Sequence, residues 1–194
     1  MSNLPPYVAI NDENIDKNKR EMLITPSETI QFPLSEENLE IIKILETKFD
    51  NEDNCVGLAA PQIGFHKRII VFAVNASEEL RKWRPDLTEG MPKTIWINPE
   101  YQGIGEEKSE DYEGCFSVNN MAGTVKRYTS IRYSAFLPNG EKIEGTANGF
   151  LARVIQHEID HTQGILYIHK ANEGSVMTIE EYREKRKKAM EGDN

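Results

Sequence analysis

Apolar positions recur along this chain with two spacings, one helical and one alternating, and the change from one to the other marks where helices give way to strands. Leu39, Ile42, Leu45 and Phe49 follow the helical spacing, which predicts a helix from Ser35 to about Phe49 with those four side chains inward. Ser35 is expected as its N-cap, Leu34 and Leu39 as a hydrophobic staple, and the polar stretch Asn51 to Asn54 as its end. The segment Gly57 to Gly64 reads as a loop leading into a strand over Lys67 to Asn75, with the continuous apolar run Ile69-Ile70-Val71-Phe72. Ala76 to Lys93 is polar and reads as a surface excursion. Thr94 to Asn98 is a second strand, and the region before Cys115 is expected to be extended. Ser130 to Leu137 alternates Ile131, Tyr133 and Ala135; with the turn Pro138-Asn139-Gly140 and the segment Glu141 to Thr146 it predicts a hairpin.

From about Gly149 to Thr162 the pattern changes. Phe150, Val154, His157 and His161 fall on one stripe, and Leu151, Val154, Ile155 and Ile159 on a second. A helix apolar over most of its circumference is central and buried, and Gly164 is placed to end it. Thr178 and Glu181 form a capping box that opens a last helix through about Met190. The expected fold is α+β, with antiparallel β-sheets packed around a central helix and a C-terminal helix beyond it. Neither a linker nor an internal repeat divides the 194 residues, so residues 1–194 are expected to form a single catalytic domain.

Charge and cysteine content narrow the partners. A formal net charge of −9 argues against nucleic acid, specific DNA included, and toward small or peptide substrates. The opening Met1-Ser2-Asn3-Leu4-Pro5-Pro6 lacks a signal pattern, no apolar run approaches a membrane span, and the two cysteines are expected as free thiols. A cytoplasmic protein is expected.

The central helix carries the chemistry. In His157-Glu158-Ile159-Asp160-His161 two imidazoles stand one turn apart on one face, so both can reach one metal ion, with Glu158 beside them near any bound water. Unpaired imidazoles are costly to bury, which favours ligation. The third ligand stays open on spacing alone. Gly164 continues a metalloprotease pattern that then fails, because position 167 is Tyr and His169 comes two residues late. Glu180 or Glu181 can serve as a metallopeptidase ligand from the last helix, and Cys115 in Glu113-Gly114-Cys115-Phe116-Ser117 offers a thiolate suited to zinc or ferrous iron.

A third segment adds to these two. Val56-Gly57-Leu58-Ala59-Ala60-Pro61-Gln62-Ile63-Gly64 lets backbone approach a ligand closely while Gln62 offers a rigidly placed donor. With Gly57-Leu58-Ala59-Ala60-Pro61-Gln62, Glu113-Gly114-Cys115 with Ser117, and His157-Glu158-Ile159-Asp160-His161 in that order, the chain resembles the peptide deformylase family from roughly Ser35 to Lys170. The resemblance implies a divalent metal held by Cys115, His157 and His161, with ferrous iron as the native ion and zinc, nickel or cobalt as substitutes. It implies hydrolysis of the formyl group of N-formylmethionyl peptides on nascent chains, releasing formate. Glu158 would take the water proton and pass it to the departing amine, while Gln62 and the Phe116 backbone N–H stabilise the developing negative oxygen. Val56, Gly57, Glu113 and Val154 are expected to contact substrate. Glu113 and Asp160 also read as carboxylates that hold neighbours in place.

The chain departs from the family pattern at three places. Cys55 stands where the family usually has glycine, Phe116 where it usually has leucine, and Val118-Asn119-Asn120-Met121-Ala122-Gly123 lacks a proline and an arginine common among relatives. Phe116 is the milder change, since a backbone donor survives it; Cys55 is expected to narrow the methionine pocket or the approach path. Arg183, Lys185, Arg186, Lys187 and Lys188 make the last helix basic, which complements its dipole and suggests ribosome contact. His66 is expected at the surface, and neither it nor His169 in the site. Two rivals remain on the residues: a metallopeptidase with a Glu third ligand, and a noncatalytic binder of acylated N-termini.

Overall fold

The computed structural model describes residues 4–53 and 55–192. Met1-Ser2-Asn3, part of the opening read for a signal pattern, and Asn54, the expected end of the helix-terminating stretch, lie outside the described residues. In chain order the elements are α1 (Lys17–Met22), α2 (Glu36–Asp50), β1 (Gly57–Ala59), β2 (Ile69–Val74), α3 (Glu78–Trp83), β3 (Met91–Gly103), β4 (Lys108–Cys115), β5 (Val118–Tyr128), β6 (Ser130–Phe136), β7 (Lys142–Asn148), α4 (Gly149–Thr162), β8 (Met177–Thr178) and α5 (Ile179–Gly192). A five-stranded antiparallel sheet has the order β1-β2-β3-β6-β7, and a three-stranded one the order β4-β5-β8. Among the described residues no helix is long and apolar enough to cross a membrane.

The continuous apolar run of β2 has a direct cause: the large sheet is covered on both faces. Ile69 and Val71 join Ile95 and Ile97 of β3 against Ile41, Ile42, Leu45 and Phe49 of α2. Ile70 and Phe72 point the other way, with Trp96, onto Leu151, Val154, Ile155 and Ile159 of α4. Each such side chain contributes about 1.5–3 kcal/mol when taken fully from water.

The opposite side of α4 meets the small sheet with polar groups. Gln156 exchanges two bonds with the Tyr128 backbone, donating to its carbonyl at 2.9 Å and accepting from its N–H at 3.1 Å. Arg153 donates to the Val125 and Ser109 carbonyls at 3.0 and 2.9 Å. Helix α4 is therefore buried on all sides but apolar on only one, which fixes its rotation between the two sheets.

Several expectations change. Leu39 is 50 % exposed and Ile41 is buried in its place, so the inward face of α2 is turned toward Ile41. Gly57 to Gly64 is not a loop but strand β1 followed by a 3-10 turn over Ala60–Ile63, with Gly64 at φ 87°. The polar excursion contains α3, and β3 runs from Met91 through Gly103, well past Thr94 to Asn98. The hairpin, the bounds of the central helix and the capping box hold: the Glu181 N–H donates to Thr178 Oγ1 at 3.2 Å and the Thr178 N–H to Glu181 Oε2 at 2.7 Å.

Candidate metal centre

Strand β4 ends on Cys115, and a register break between Gly114 and Cys115 turns the cysteine out of the regular ladder. It turns toward α4. Cys115 Sγ lies 3.2 Å from His161 Nε2, which lies 3.2 Å from His157 Nε2, and the three ligand atoms all fall within 4.8 Å of one another. Around a tetrahedral ion with bonds of about 2.0–2.3 Å, ligand atoms sit roughly 3.3–3.6 Å apart, so these three span one face of such a polyhedron. One thiolate and two imidazoles form a donor set for zinc, ferrous iron, nickel or cobalt. The residues fit a divalent cation.

The arrangement is held by a buried charge cluster. His157 Nδ1 is 2.8 Å from Glu113 Oε2, a pairing that puts the proton on Nδ1 and leaves the Nε2 lone pair for a metal. Arg127 binds Glu113 through Nε and Nη2, both at 2.8 Å, and Arg153 Nη1 binds it at 2.7 Å. Asp160 accepts from Arg127, from Lys170 at 2.7 Å and from the Tyr101 hydroxyl at 3.0 Å. Burial alone would raise the Glu113 carboxyl, but Arg127 and His157 overcome it and hold the group well below the usual carboxylate range. Burial, and then the neighbouring His157, hold the His161 ring well below its ordinary value, leaving it neutral, the form that ligates.

Glu158 has the opposite environment. It lies against Gly57, where any Cβ would fall inside the surface of its carboxylate. Burial pushes it up to about 7, with His157 pulling against that rise, and its Oε2 is buried with no hydrogen-bond partner among the described residues. Buried acceptors are nearly always satisfied, so an orphan on a residue lining the same cleft as Cys115 and His157 points to a substrate or water position. Gln62 completes the wall: its Oε1 accepts from the Ala59 N–H at 2.8 Å and its Nε2 donates to Cys115 Sγ at 3.1 Å.

These groups open on a cleft of about 570 Å³, which Val56, Gly57, Glu113, Phe116 and Val154 also line. His161 sits buried behind it. Cys55 is at the wall, where the family pattern suggested it, its Sγ donating to the Gly57 carbonyl at 3.1 Å. Glu181 is instead spent capping α5, and the third atom beside the histidines is the Cys115 sulfur. His169 Nδ1 accepts from the Leu166 N–H at 3.1 Å, and His66 Nε2 lies 3.2 Å from the Thr25 carbonyl; both do local structural work. Not foreseen were Arg127 and Arg153 under Glu113, and Met121, Ile179 and Arg183 along the cleft. Arg153 was legible in principle: an arginine one turn before His157 on a buried helix needs a buried carboxylate.

The polypeptide deformylase family profile matches residues 13–176, a span containing Gln62, Cys115, His157, Glu158 and His161 but not Ile179 or Arg183. The chain belongs to the peptide deformylase family. It is 54 % identical to peptide deformylase 2 of Rickettsia conorii over 191 residues, 98 % of this chain and 95 % of that one. Against peptide deformylase 2 of Ralstonia nicotianae the identity is 40 %, over 66 % of this chain and 71 % of that one. Among solved structures, the Met-Ala-Ser-bound class I type b peptide deformylase of Acinetobacter baumannii superposes with a TM-score of 0.72 at 26 % identity, over 88 % of this chain and 99 % of that one. The peptide deformylase of Synechococcus elongatus in complex with actinonin gives 0.69 at 26 % identity, over 90 % and 84 %. The chain is a metallohydrolase that removes the N-formyl group from nascent peptides.

Proposed function

We propose that the chain deformylates N-formylmethionyl peptides with Glu158 as its proton carrier, Gln62 and the Phe116 N–H as its oxygen-stabilising donors, and Cys115, His157 and His161 as its metal ligands. The observation that carries this is the orphaned Glu158 Oε2 in the cleft that Cys115 and His157 also line, its carboxylate lying where a Cβ on Gly57 would fall. A divalent cation in that place supplies Lewis acidity, which acidifies water and polarises a carbonyl. Glu158 takes a proton from the attacking water and returns it to the departing amine; a carboxylate raised toward neutrality suits both transfers. Gln62 has two amide hydrogens, one on the Cys115 sulfur, which leaves the second for the substrate oxygen. Glu113 orients His157 at the edge of the substrate cleft. Strand β1 is an edge strand, and Val56 and Gly57 at its start line the cleft, which supports backbone bonding to an extended peptide. Val154 offers apolar surface to the methionine side chain.

Formate release from a formyl-Met peptide, assayed anaerobically with ferrous iron, tests the reading. Glu158→Ala is expected to lose on the order of 10²–10⁴-fold in kcat with metal retained, and equal turnover by the variant would refute the assignment. Cleavage of an internal peptide bond would favour the metallopeptidase alternative, and peptide binding without formate the noncatalytic binder. Ferrous iron is proposed as the native ion, with zinc, nickel or cobalt as substitutes; metal analysis of protein purified without oxygen decides. Two free thiols, one a ligand, support a reducing cytoplasm, and residues 1–194 are proposed as one catalytic unit. The exposed basic face of α5 is proposed to contact ribosomal RNA. Added salt should weaken cosedimentation with ribosomes, and cosedimentation that survives charge reversal at Arg183 and Lys188 would oppose it.

A further inference from the structure

Residues 7–11 precede the part of the chain that the family profile matches, which begins at residue 13, yet they run along both groups assigned to oxygen stabilisation. The Val8 N–H donates to the Gln62 carbonyl at 2.8 Å, and the Ile10 N–H to the Ser117 carbonyl at 2.9 Å. Asn11 and Asn119 exchange two further bonds, Nδ2 to carbonyl at 3.0 Å and N–H to Oδ1 at 2.9 Å. Val8 and Ala9 are 3 % and 1 % exposed, so this strap is packed into the body of the protein. At its head the Tyr7 ring stacks on the Phe116 ring, centroids 4.4 Å apart and planes within 9° of parallel. Tyr7 is itself clamped: its hydroxyl donates to Glu52 Oε2 at 2.8 Å, and Lys48 Nζ lies 3.9 Å from its ring centroid.

Phe116 needs such a brace. It and Ser117 form the two-residue connection between Cys115 and Val118, and the ladder loses register just before it. Cys115 pairs with Val118 across this turn and the Ser117 carbonyl accepts from Ile10, so its ends are held, and the Phe116 ring is the further handle by which Tyr7 fixes the peptide between them. A donor aimed at developing charge loses its benefit when displaced by a fraction of an ångström.

We infer that Tyr7 is a positioning residue for deformylation, holding the Phe116 N–H in line through the ring stack while the strap behind it fixes Gln62. The inference rests on the assignment of Phe116 and Gln62 as oxygen-stabilising donors. It also gives the phenylalanine side chain a function that a bare backbone donor would not require.

The test is steady-state kinetics on a formyl-Met-Ala-Ser peptide with the ferrous enzyme, for Tyr7→Ala, Tyr7→Leu and Tyr7→Phe, with metal content measured for each. Tyr7→Ala and Tyr7→Leu should lower kcat about ten-fold with KM and metal stoichiometry unchanged, while Tyr7→Phe, which keeps the ring and loses only the Glu52 bond, restores most of the rate. If Tyr7→Ala fails to fold, Tyr7→Leu carries the same outcomes with the strap's apolar contact kept. Because Tyr7 acts through Phe116, its kcat loss should shrink when measured in a Phe116→Ala background. Wild-type kcat in Tyr7→Ala or Tyr7→Leu, a loss that Tyr7→Phe does not recover, or losses that multiply in the double variant would each overturn the inference. Absence of formate from the wild-type protein would instead defeat the deformylase assignment itself.

Discussion

Glu113 is the residue on which the centre turns. Its carboxylate receives Arg127 at two points, Arg153 and the His157 ring, so its acceptor sites are taken by the protein, which supports a holding role over direct substrate contact. Arg127, 2 % exposed, in turn bridges Glu113 to Asp160, the neighbour of His161 on α4. Removing it leaves Glu113 to Arg153 and His157, and Asp160 to Lys170 and Tyr101, with a buried guanidinium's charge gone from between them. Arg127→Ala should cost about 3–5 kcal/mol in urea denaturation and weaken metal affinity; a loss under 1 kcal/mol would mean water replaces the guanidinium. Cys55 makes a separate prediction. Burial first, then the Glu158 charge, push its thiol up to about 12, so the folded chain holds this proton more tightly than the unfolded one. From about pH 8.5 upward the unfolded state ionises first, and stability should fall as pH rises through that window. In a Cys115→Ser background, iodoacetamide at pH 8 should label folded Cys55 at least roughly a hundred-fold more slowly than the urea-unfolded chain; comparable rates would show an exposed thiolate.

At the scale of elements, α2 and α4 teach different lessons. Ser35 caps α2 as its sequence suggests, its Oγ accepting from the Asn38 N–H at 3.2 Å, but periodicity allowed two rotations of the helix and the sheet chose the one that buries Ile41 and exposes Leu39. Leu39→Ser should therefore shift stability by no more than about 0.5 kcal/mol, whereas Leu45→Ala, at a fully buried site, should cost about 2–5 kcal/mol. Chemical denaturation separates them, and equal costs would mean that the exposed position packs. The bounds of helix α4 are legible because Leu151, Val154, Ile155 and Ile159 keep the helical period beside a second stripe that ends in the two histidines, and because Gly164, at φ 72° with Thr25 backbone against it, admits no side chain. Strand β3 outruns its sequence pattern past Asn98 because its register shifts between Ile97 and Glu100, with Asn98 at φ 50°, and a bulge breaks the alternation by which strands are recognised.

For the molecule as a whole, the metal couples strand to helix. A ligand set drawn from β4 and α4 exists only when the two are docked, so an ion bound there stabilises the folded state by mass action, about 2.7 kcal/mol at a free concentration one hundred times Kd. Chelation should lower Tm in the wild type and leave Cys115→Ser nearly unmoved. An equal shift in both would place the stabilising ion elsewhere.

The sequence alone determined what rests on short-range geometry. Two histidines four residues apart share a face because a helix turns every 3.6 residues, and Ser35, Thr178 and Gly164 mark helix ends through bonds and dihedrals within a few residues. Only the tertiary structure decided what meets across long stretches of chain. Cys115 reaches His161 over 46 positions, Arg127 reaches Asp160 over 33, and Tyr7 of the strap reaches Phe116 from 109 positions earlier in the chain. No period in the residues encodes such meetings. They follow from two sheets packing on opposite sides of one helix, where the apolar side sets its rotation and the polar side, once buried, must find every partner it needs.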